Sequence, residues 1–241
     1  KDMKTTEVSL KELFANAHKY KQLAGEMPTQ DFAILRLLLA ITLTVIYRFD
    51  SEGNQDELSE ENDSEIEDVL ARWKSYQDRG SFNSTVFDEY LDEYSERFWL
   101  IHPGTPFYQV PNLQYGTDYK AICLRGNIKG SNNSATAPLF SNSGGKSNKE
   151  IEYAEASRWL IHLIAFQVNV KAYEKAPGTT KATGIGRMGQ IGPIYIEGTD
   201  LFETLMLNLV PVKENEEVWG EPRPTWEKEV KTEQGIEIAP P

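Results

Sequence analysis

The chain of 241 residues contains one cysteine, Cys123. A single thiol excludes an internal disulfide framework and every zinc site built on several cysteines. It fits a reducing, cytoplasmic compartment. Cys123 lies in the apolar run Ala121-Ile122-Cys123-Leu124, the setting of a buried, inert thiol rather than a nucleophile. Histidine is also scarce. His18, His102 and His162 stand far apart without ligand spacing, so no metal site and no cofactor is expected. Long unbroken apolar runs are missing as well. Residues 32–49 are strongly apolar, but Arg36, Thr42, Thr44 and Arg48 interrupt them and Asp31 bounds them. The unbroken part is too short for a bilayer, so a buried central helix is the better reading and no membrane partner is expected. The chain begins Lys1-Asp2-Met3-Lys4, with no initiator methionine and no signal-peptide pattern, which points to a natural N-terminus upstream. No internal repeat is evident.

Two glycine motifs invite a nucleotide-binding reading, and neither has the context it needs. Gly145-Lys146-Ser147 matches the end of a P-loop, but Phe140 occupies the position of the loop's first glycine. Gly184-Ile185-Gly186-Arg187-Met188-Gly189 is a literal G-x-G-x-x-G. A dinucleotide fingerprint requires a strand before it and a helix opening directly after it. Here Pro177-Gly178 precedes it as a turn, and Gln190-Ile191-Gly192-Pro193 follows, which cannot open a helix. The segment from Lys175 to Ile196 has five glycines, two bases besides Lys175 and no acid. Two readings stay open: a structural loop, or a backbone cradle for phosphates or a groove edge. Flexible solvated acids elsewhere cannot be held as a catalytic pair, and His102 before Pro103 reads as a structural hydrogen-bonding residue. No enzyme site is found.

Charge is distributed unevenly along this acidic chain of net charge −12 and mean hydropathy −0.50. Residues 50–68 hold ten acids and no base, and read as a solvated loop or disordered insert. Residues 103–192 hold ten Lys/Arg against five acids, a positive middle that the overall sum conceals.

Periodicity predicts a mostly helical domain, α+β in class, with a small β element and long Gly/Ser/Asn-rich loops. Ser9 to Glu12 is a capping box for a short helix to about His18. Residues 28–31 start the long apolar helix, which ends near Phe49. Ser64 to Glu67 caps a third helix with Ile66, Val69, Leu70 and Trp73 on its apolar face. Residues 85–98 continue the helical pattern, and the aromatic stripe there reads as core. A proline-rich corner at 102–111 leads to a Gly/Ser/Asn-rich loop at 126–148. Residues 149–167 form a helix that turns Ile151, Ala154, Trp159, Leu160, Leu163 and Ile164 inward. A strand at Ile194-Tyr195-Ile196 precedes an Asp200 to Glu203 capping box and a last apolar helix to about Val210. Trp219 and Trp226 are the expected anchors of a charged tail.

The loop Pro138-Leu139-Phe140-Ser141-Asn142-Ser143-Gly144-Gly145-Lys146 carries an apolar wedge, an amide able to donate and accept, and a cation. Such a set can probe a nucleic-acid groove, or Phe140 can simply pin the loop to the core. Several segments together resemble a known family. They are His102-Pro103-Gly104-Thr105-Pro106-Phe107-Tyr108-Gln109, Leu139-Phe140-Ser141-Asn142, Ala154-Glu155-Ala156-Ser157-Arg158-Trp159-Leu160, residues 197–210 and Pro224-Thr225-Trp226, in that order. The whole is similar to the large subunit (CasA family) of the type I-E CRISPR Cascade complex.

The resemblance implies a non-catalytic subunit of an RNA-guided surveillance complex, working with other Cascade subunits and CRISPR RNA. Such a subunit inspects double-stranded target DNA for the protospacer-adjacent motif, helps start strand separation and recruits a nuclease-helicase. It implies that Phe140, Ser141 and Asn142 match a nucleic-acid-contacting Phe-x-Asn element, with Lys146 beside it. Gly178, Thr179, Thr180 and Lys181 match a minor-groove glycine loop thinned to one glycine. Arg187 adds a base in the same acid-free segment, so residues 126–148 and 175–193 are the candidate contact loops. The family's groove-probing lysine, glutamine wedge and C-terminal helical bundle would follow Pro241, and a short segment would precede Lys1. Residues 1–241 are therefore read as an N-terminal domain fragment. A protein-docking domain without DNA contact is the alternative.

Overall fold

The apolar run at residues 32–49 becomes the axis of the fold. In the computed structural model, which describes residues 4–58, 65–109, 111, 151–166, 186–210 and 221–228, it lies in helix α2 (Pro28–Arg48). Pro28 occupies the first helical turn, where its missing N–H costs nothing. Instead of a side-chain cap from Met27, the first turn reaches backward. Gln30 Oε1 accepts the Glu26 N–H at 3.1 Å, and Asp31 Oδ1 accepts the Gly25 N–H at 2.6 Å. By length and hydropathy α2 could cross a membrane, yet eleven of its 21 residues are buried among the other helices, as a core helix requires. Thr42 and Thr44 are buried because their hydroxyls donate back to the carbonyls of Leu38 and Ala40, at 2.7 and 2.8 Å.

Among the described residues, six further helices, one of them a single turn, pack around that axis. Helix α1 (Leu10–Asn16) starts at Ser9, whose hydroxyl accepts the Glu12 N–H at 3.2 Å, and tightens into a 3-10 turn at Ala17–Lys19. Helix α3 spans Ile66–Arg79, α4 spans Ser84–Glu93 and α5 spans Tyr153–Phe166. After the single turn α6 (Arg187–Gln190), α7 spans Leu201–Asn208. Leu38, Ile41 and Val45 of α2 meet Phe14, Tyr76, Phe87, Leu205 and Met206, all fully buried in one cluster. Fully burying each such side chain contributes about 1.5–3 kcal/mol. Phe14, Phe82, Phe87 and Phe202 interlock at centroid separations of 4.5–5.7 Å, the tilted and edge-on geometry that aromatic quadrupoles favour.

Several sequence expectations change in detail. The third helix is capped by Glu65, not Ser64: Asp68 Oδ2 accepts the Glu65 N–H at 2.9 Å. Its inward face is Val69, Arg72 and Tyr76, while Leu70 is exposed. Arg72 is 7% exposed and wraps the C-terminal end of α2, donating to the carbonyls of Ile46, Phe49 and Asp56 at 2.8–2.9 Å. It also pairs with the Asp56 carboxylate at 2.5 Å. A helix end leaves such carbonyls unbonded, and a buried guanidinium satisfies several at once.

That contact orders the start of the acidic run, one of whose two readings is a solvated loop, and Glu52 and Asp56 stay exposed there. Residues 50–58 form an ordered turn. Asp50 Oδ1 accepts the N–H groups of Gly53 and Asn54, Leu58 N–H returns to the Tyr47 carbonyl at 2.9 Å, and Ser51 and Leu58 are buried. Residues 59–64 lie outside the described ones. The helix expected over 85–98 stops at Glu93 and continues as a 3-10 turn at Ser95–Phe98. In α5, Ile164 points outward, against expectation, and His162 is buried.

The fold is predominantly helical, as the sequence predicts. Among the described residues the only β pairing is an isolated bridge between Phe49 and Gln55. Ile194-Tyr195-Ile196 is extended but meets no strand among the described residues. The Asn208 side-chain amide serves instead, accepting the Ile196 N–H at 2.8 Å and donating to its carbonyl at 2.6 Å. Asp200 caps α7 by accepting the Glu203 N–H at 2.9 Å. Gly198 passes so close to this cap that a Cβ would stand 2.8 Å from the Thr204 backbone nitrogen. Trp226 does anchor the tail: it is 4% exposed, and its indole donates to Tyr90 Oη at 2.7 Å. Trp219 lies outside the described residues.

Candidate nucleic-acid interface

Phe140, Ser141, Asn142, Lys146, Gly178, Thr179, Thr180 and Lys181 lie outside the described residues, as does Cys123. What the structure describes is the neighbouring helical scaffold. One flank of α2 organises it, at positions 29, 32, 33 and 36, which share a face by helical spacing. Thr29 Oγ1 is 3.1 Å from His162 Nε2. Phe32 meets Phe166, the last residue of α5, at a centroid separation of 6.3 Å. Ala33 forms a small buried cluster with Ala165 and Met188. Arg36 is half-buried, and burial lowers its pKa.

Arg187 is the one sequence-predicted site residue that the structure describes. It opens α6, a single turn closed by the Gly189 N–H bond to the Gly186 carbonyl at 2.8 Å. The helical turn thus forms inside the G-x-G-x-x-G motif, held by buried Met188, and gives way to extended chain at Ile191. One turn lacks the aligned dipole and free N–H array that would hold a pyrophosphate. Among the described residues no strand precedes it.

The proline-rich corner packs into the main core. His102 Nδ1 accepts the Thr105 N–H at 2.8 Å and lies 3.3 Å from the Gly104 nitrogen, so the ring closes a turn. Phe107 is buried, and Tyr108 adopts φ 51°, the left-handed region. Burial pushes the Tyr108 hydroxyl up from its ordinary value. Burial also lowers His162, which therefore favours the neutral ring beside Thr29.

Elsewhere, a cleft of about 280 Å³ is lined by residues including Asp31, Tyr195, Glu197 and Thr204. Its two carboxylates and absence of a lining base make it unsuited to phosphate. Among the described residues, no group of three or more His, Cys, Asp or Glu side chains could hold a metal ion.

Sequence reasoning read Arg36 only as an interruption of an apolar run and missed its half-burial. Its spacing of seven from Thr29 and four from Phe32, on the face that meets α5 and α6, was the available signal.

These features define a class: a helix-rich domain built around one central apolar helix. A family model described as CRISPR-associated protein Cse1 matches residues 1–240, and the chain belongs to that family. A CasA/Cse1 protein of Thermus thermophilus is 28% identical over 224 residues, covering 93% of this chain and 39% of the relative. The crystal structure of Thermobifida fusca Cse1 superposes with TM-score 0.67 at 29% identity, covering 94% of this chain and 40% of that one. A chain of a CRISPR RNA-guided surveillance complex shares the fold with TM-score 0.65 at 20% identity, covering 93% of this chain and 43% of that one. The chain therefore spans about two-fifths of the length of these relatives.

Proposed function

We propose that residues 1–241 are the N-terminal domain of the large subunit of a type I-E Cascade complex, acting without catalysis in RNA-guided recognition of foreign DNA. The Cse1 family match over residues 1–240 is the observation that carries this reading. A fold shared with a chain of an RNA-guided surveillance complex supports other complex subunits and CRISPR RNA as partners. In this reading the loops at 126–148 and 175–193 meet nucleic acid, with Phe140 as wedge, Asn142 and Ser141 as hydrogen-bonding groups, and Lys146, Lys181 and Arg187 near phosphates. Gly178, Thr179 and Thr180 bring backbone close to the minor groove, where shape rather than a base-by-base code is read. Recognition of the protospacer-adjacent motif, the start of strand separation and recruitment of the nuclease-helicase belong to the intact subunit, in the cytoplasm.

The test is a Phe140→Ala/Asn142→Ala double variant of the intact subunit, assembled into the complex and titrated with motif-bearing duplex. The expected result is a loss of target affinity of at least about tenfold, roughly the 1–3 kcal/mol that a base-reading contact supplies, with the fold unchanged by circular dichroism. Unchanged affinity would overturn the site assignment. A protein-docking role is the second reading, and the exposed Ile191, Ile194 and Ile196 favour it, Ile194 being 93% exposed. Cross-links from this strip that reach only protein, with none from either loop to nucleic acid, would establish it instead.

A further inference from the structure

Residues 194–197 are an extended segment with two unlike edges. Successive residues of an extended chain turn their backbone groups to opposite edges and their side chains to opposite faces. Along one edge, α7 supplies side chains in place of a strand. The Asn208 amide accepts the Ile196 N–H at 2.8 Å and donates to the Ile196 carbonyl at 2.6 Å. Thr204 Oγ1 accepts the next N–H on that edge, from Gly198, at 3.0 Å. The other edge carries the backbone groups of Tyr195 and Glu197, and among the described residues these make no hydrogen bond.

The two faces differ as well. Ile194 and Ile196 share one face and are 93% and 56% exposed, and Val210, just beyond Asn208, is 65% exposed. Tyr195 and Glu197 share the other face. The Tyr195 ring meets Phe32 at a centroid separation of 6.0 Å. Tyr195 and Glu197 both line the cleft of about 280 Å³ together with Asp31, and no basic residue lines it.

A row of exposed aliphatic side chains beside unpaired backbone groups is a template for another strand. The faces set what that strand carries. Aliphatic side chains suit the positions across from Ile194 and Ile196, and a Lys or Arg suits the position across from Glu197, over the acidic cleft. This chain covers 39% of its Thermus thermophilus relative and 40% of Thermobifida fusca Cse1, so about three-fifths of such a subunit lies outside residues 1–241. A strand tethered in the same polypeptide reaches the edge at high effective concentration, an advantage that a separate subunit lacks.

We propose that the outer edge of residues 194–197 is the docking site for one β-strand of the same subunit's polypeptide from outside residues 1–241, aliphatic on one face and basic on the other. This rests on the reading of residues 1–241 as part of a longer Cascade subunit, and it requires no nucleic acid at either loop.

Hydrogen exchange read by mass spectrometry tests it in three states: the 241-residue chain, the intact subunit alone, and the intact subunit in the assembled complex. Exchange at the Tyr195 and Glu197 amides is expected to be fast in the chain and slowed at least about tenfold in the intact subunit alone. Glu197→Lys and Ile194→Asp, made in the intact subunit, should each reduce that protection by about two- to fivefold, the worth of one cross-strand pair. The same substitutions in the 241-residue chain, where both side chains are exposed, should leave helicity unchanged. Fast exchange in both forms of the intact subunit overturns the docking edge. Protection that appears only in the complex overturns the intramolecular occupant, because another subunit then supplies the strand. Protection already present in the chain overturns it too, because residues 1–241 then fill the edge themselves. Protection unmoved by both substitutions overturns the aliphatic and basic complement. An intact subunit that fails to assemble with CRISPR RNA and other subunits overturns the Cascade reading, while exchange in the subunit alone still decides the docking edge.

Discussion

Glu227→Ala should cost this fold about 3 kcal/mol, although residue 227 lies in a short tail segment beyond the last α-helix. The reason is a buried polar chain. Trp226 Nε1 donates to Tyr90 Oη at 2.7 Å, and Tyr90 donates to Glu227 Oε1 at 2.6 Å. The same carboxylate takes both arms of Arg48. Side-chain exposures of 19% for Arg48 and 11% for Glu227 put the pair well away from solvent screening. Burial, then the bond to Glu227, pushes the Tyr90 hydroxyl far above its ordinary value, so it acts only as a neutral donor and acceptor. Removing one member of a buried pair costs about 3–5 kcal/mol. The lower end applies here, because Glu221 at 3.7 Å and the Pro222 carbonyl at 3.4 Å remain within reach of Arg48.

Urea unfolding followed by tryptophan fluorescence and by circular dichroism measures both the loss and its extent. If the tail detaches first, Trp226 emission will shift red before helicity falls. The double variant Arg48→Met/Glu227→Leu replaces the pair with apolar volume and should recover all but about 1 kcal/mol. A loss below about 1 kcal/mol in Glu227→Ala, or a double variant no better than the single, would refute the reasoning.

Three further predictions follow from the same geometry. Arg72→Met strips donors from the carbonyls of Ile46, Phe49 and Asp56, and should cost about 3 kcal/mol while residues 50–58 lose amide protection in hydrogen exchange; unchanged protection there would contradict it. Gly198→Ala forces a methyl against the Thr204 backbone nitrogen and should lower stability by about 1–3 kcal/mol in thermal unfolding, with no change counting against the close approach. The folded His162 binds its proton less readily than the unfolded chain does, so its contribution is complete above about pH 6.5 and is lost as pH falls below that value. His162→Gln should therefore show a shallower decline in unfolding midpoint on acidification, and parallel curves would show that His162 does not contribute.

The helices were legible because their apolar positions recur with helical spacing. Ser9 and Asp200 cap as their side chains predict, and residues 28–48 could form little else than a core helix. The failures have a common cause, which is that pattern reading counts polarity and not partners. Arg72 carries no sign of burial in the sequence yet is buried, because the end of α2 supplies carbonyls for it. Leu70 and Ile164 read as core but face outward, because the neighbouring helices approach from the other side. Polarity could not choose between a solvated loop and a disordered insert for the acidic run, whereas Asp50 uses its carboxylate on the N–H groups of a tight turn. Asn208 took the place of a strand partner for Ile196, a role with no periodic signature.

Legibility of the site was different in kind. The order of short segments, not periodicity, carried the resemblance to the CasA family, and the match over residues 1–240 bears that out.

Contact between the two loops of this domain and nucleic acid, inside an RNA-guided complex, is the claim on which the rest depends. Photo-cross-linking tests it most directly, in a complex assembled with the intact subunit, labelled CRISPR RNA and target duplex, with the adducted peptides mapped by mass spectrometry. Nucleic-acid adducts are predicted within residues 126–148 and 175–193. Adducts from those segments to protein alone would contradict the claim.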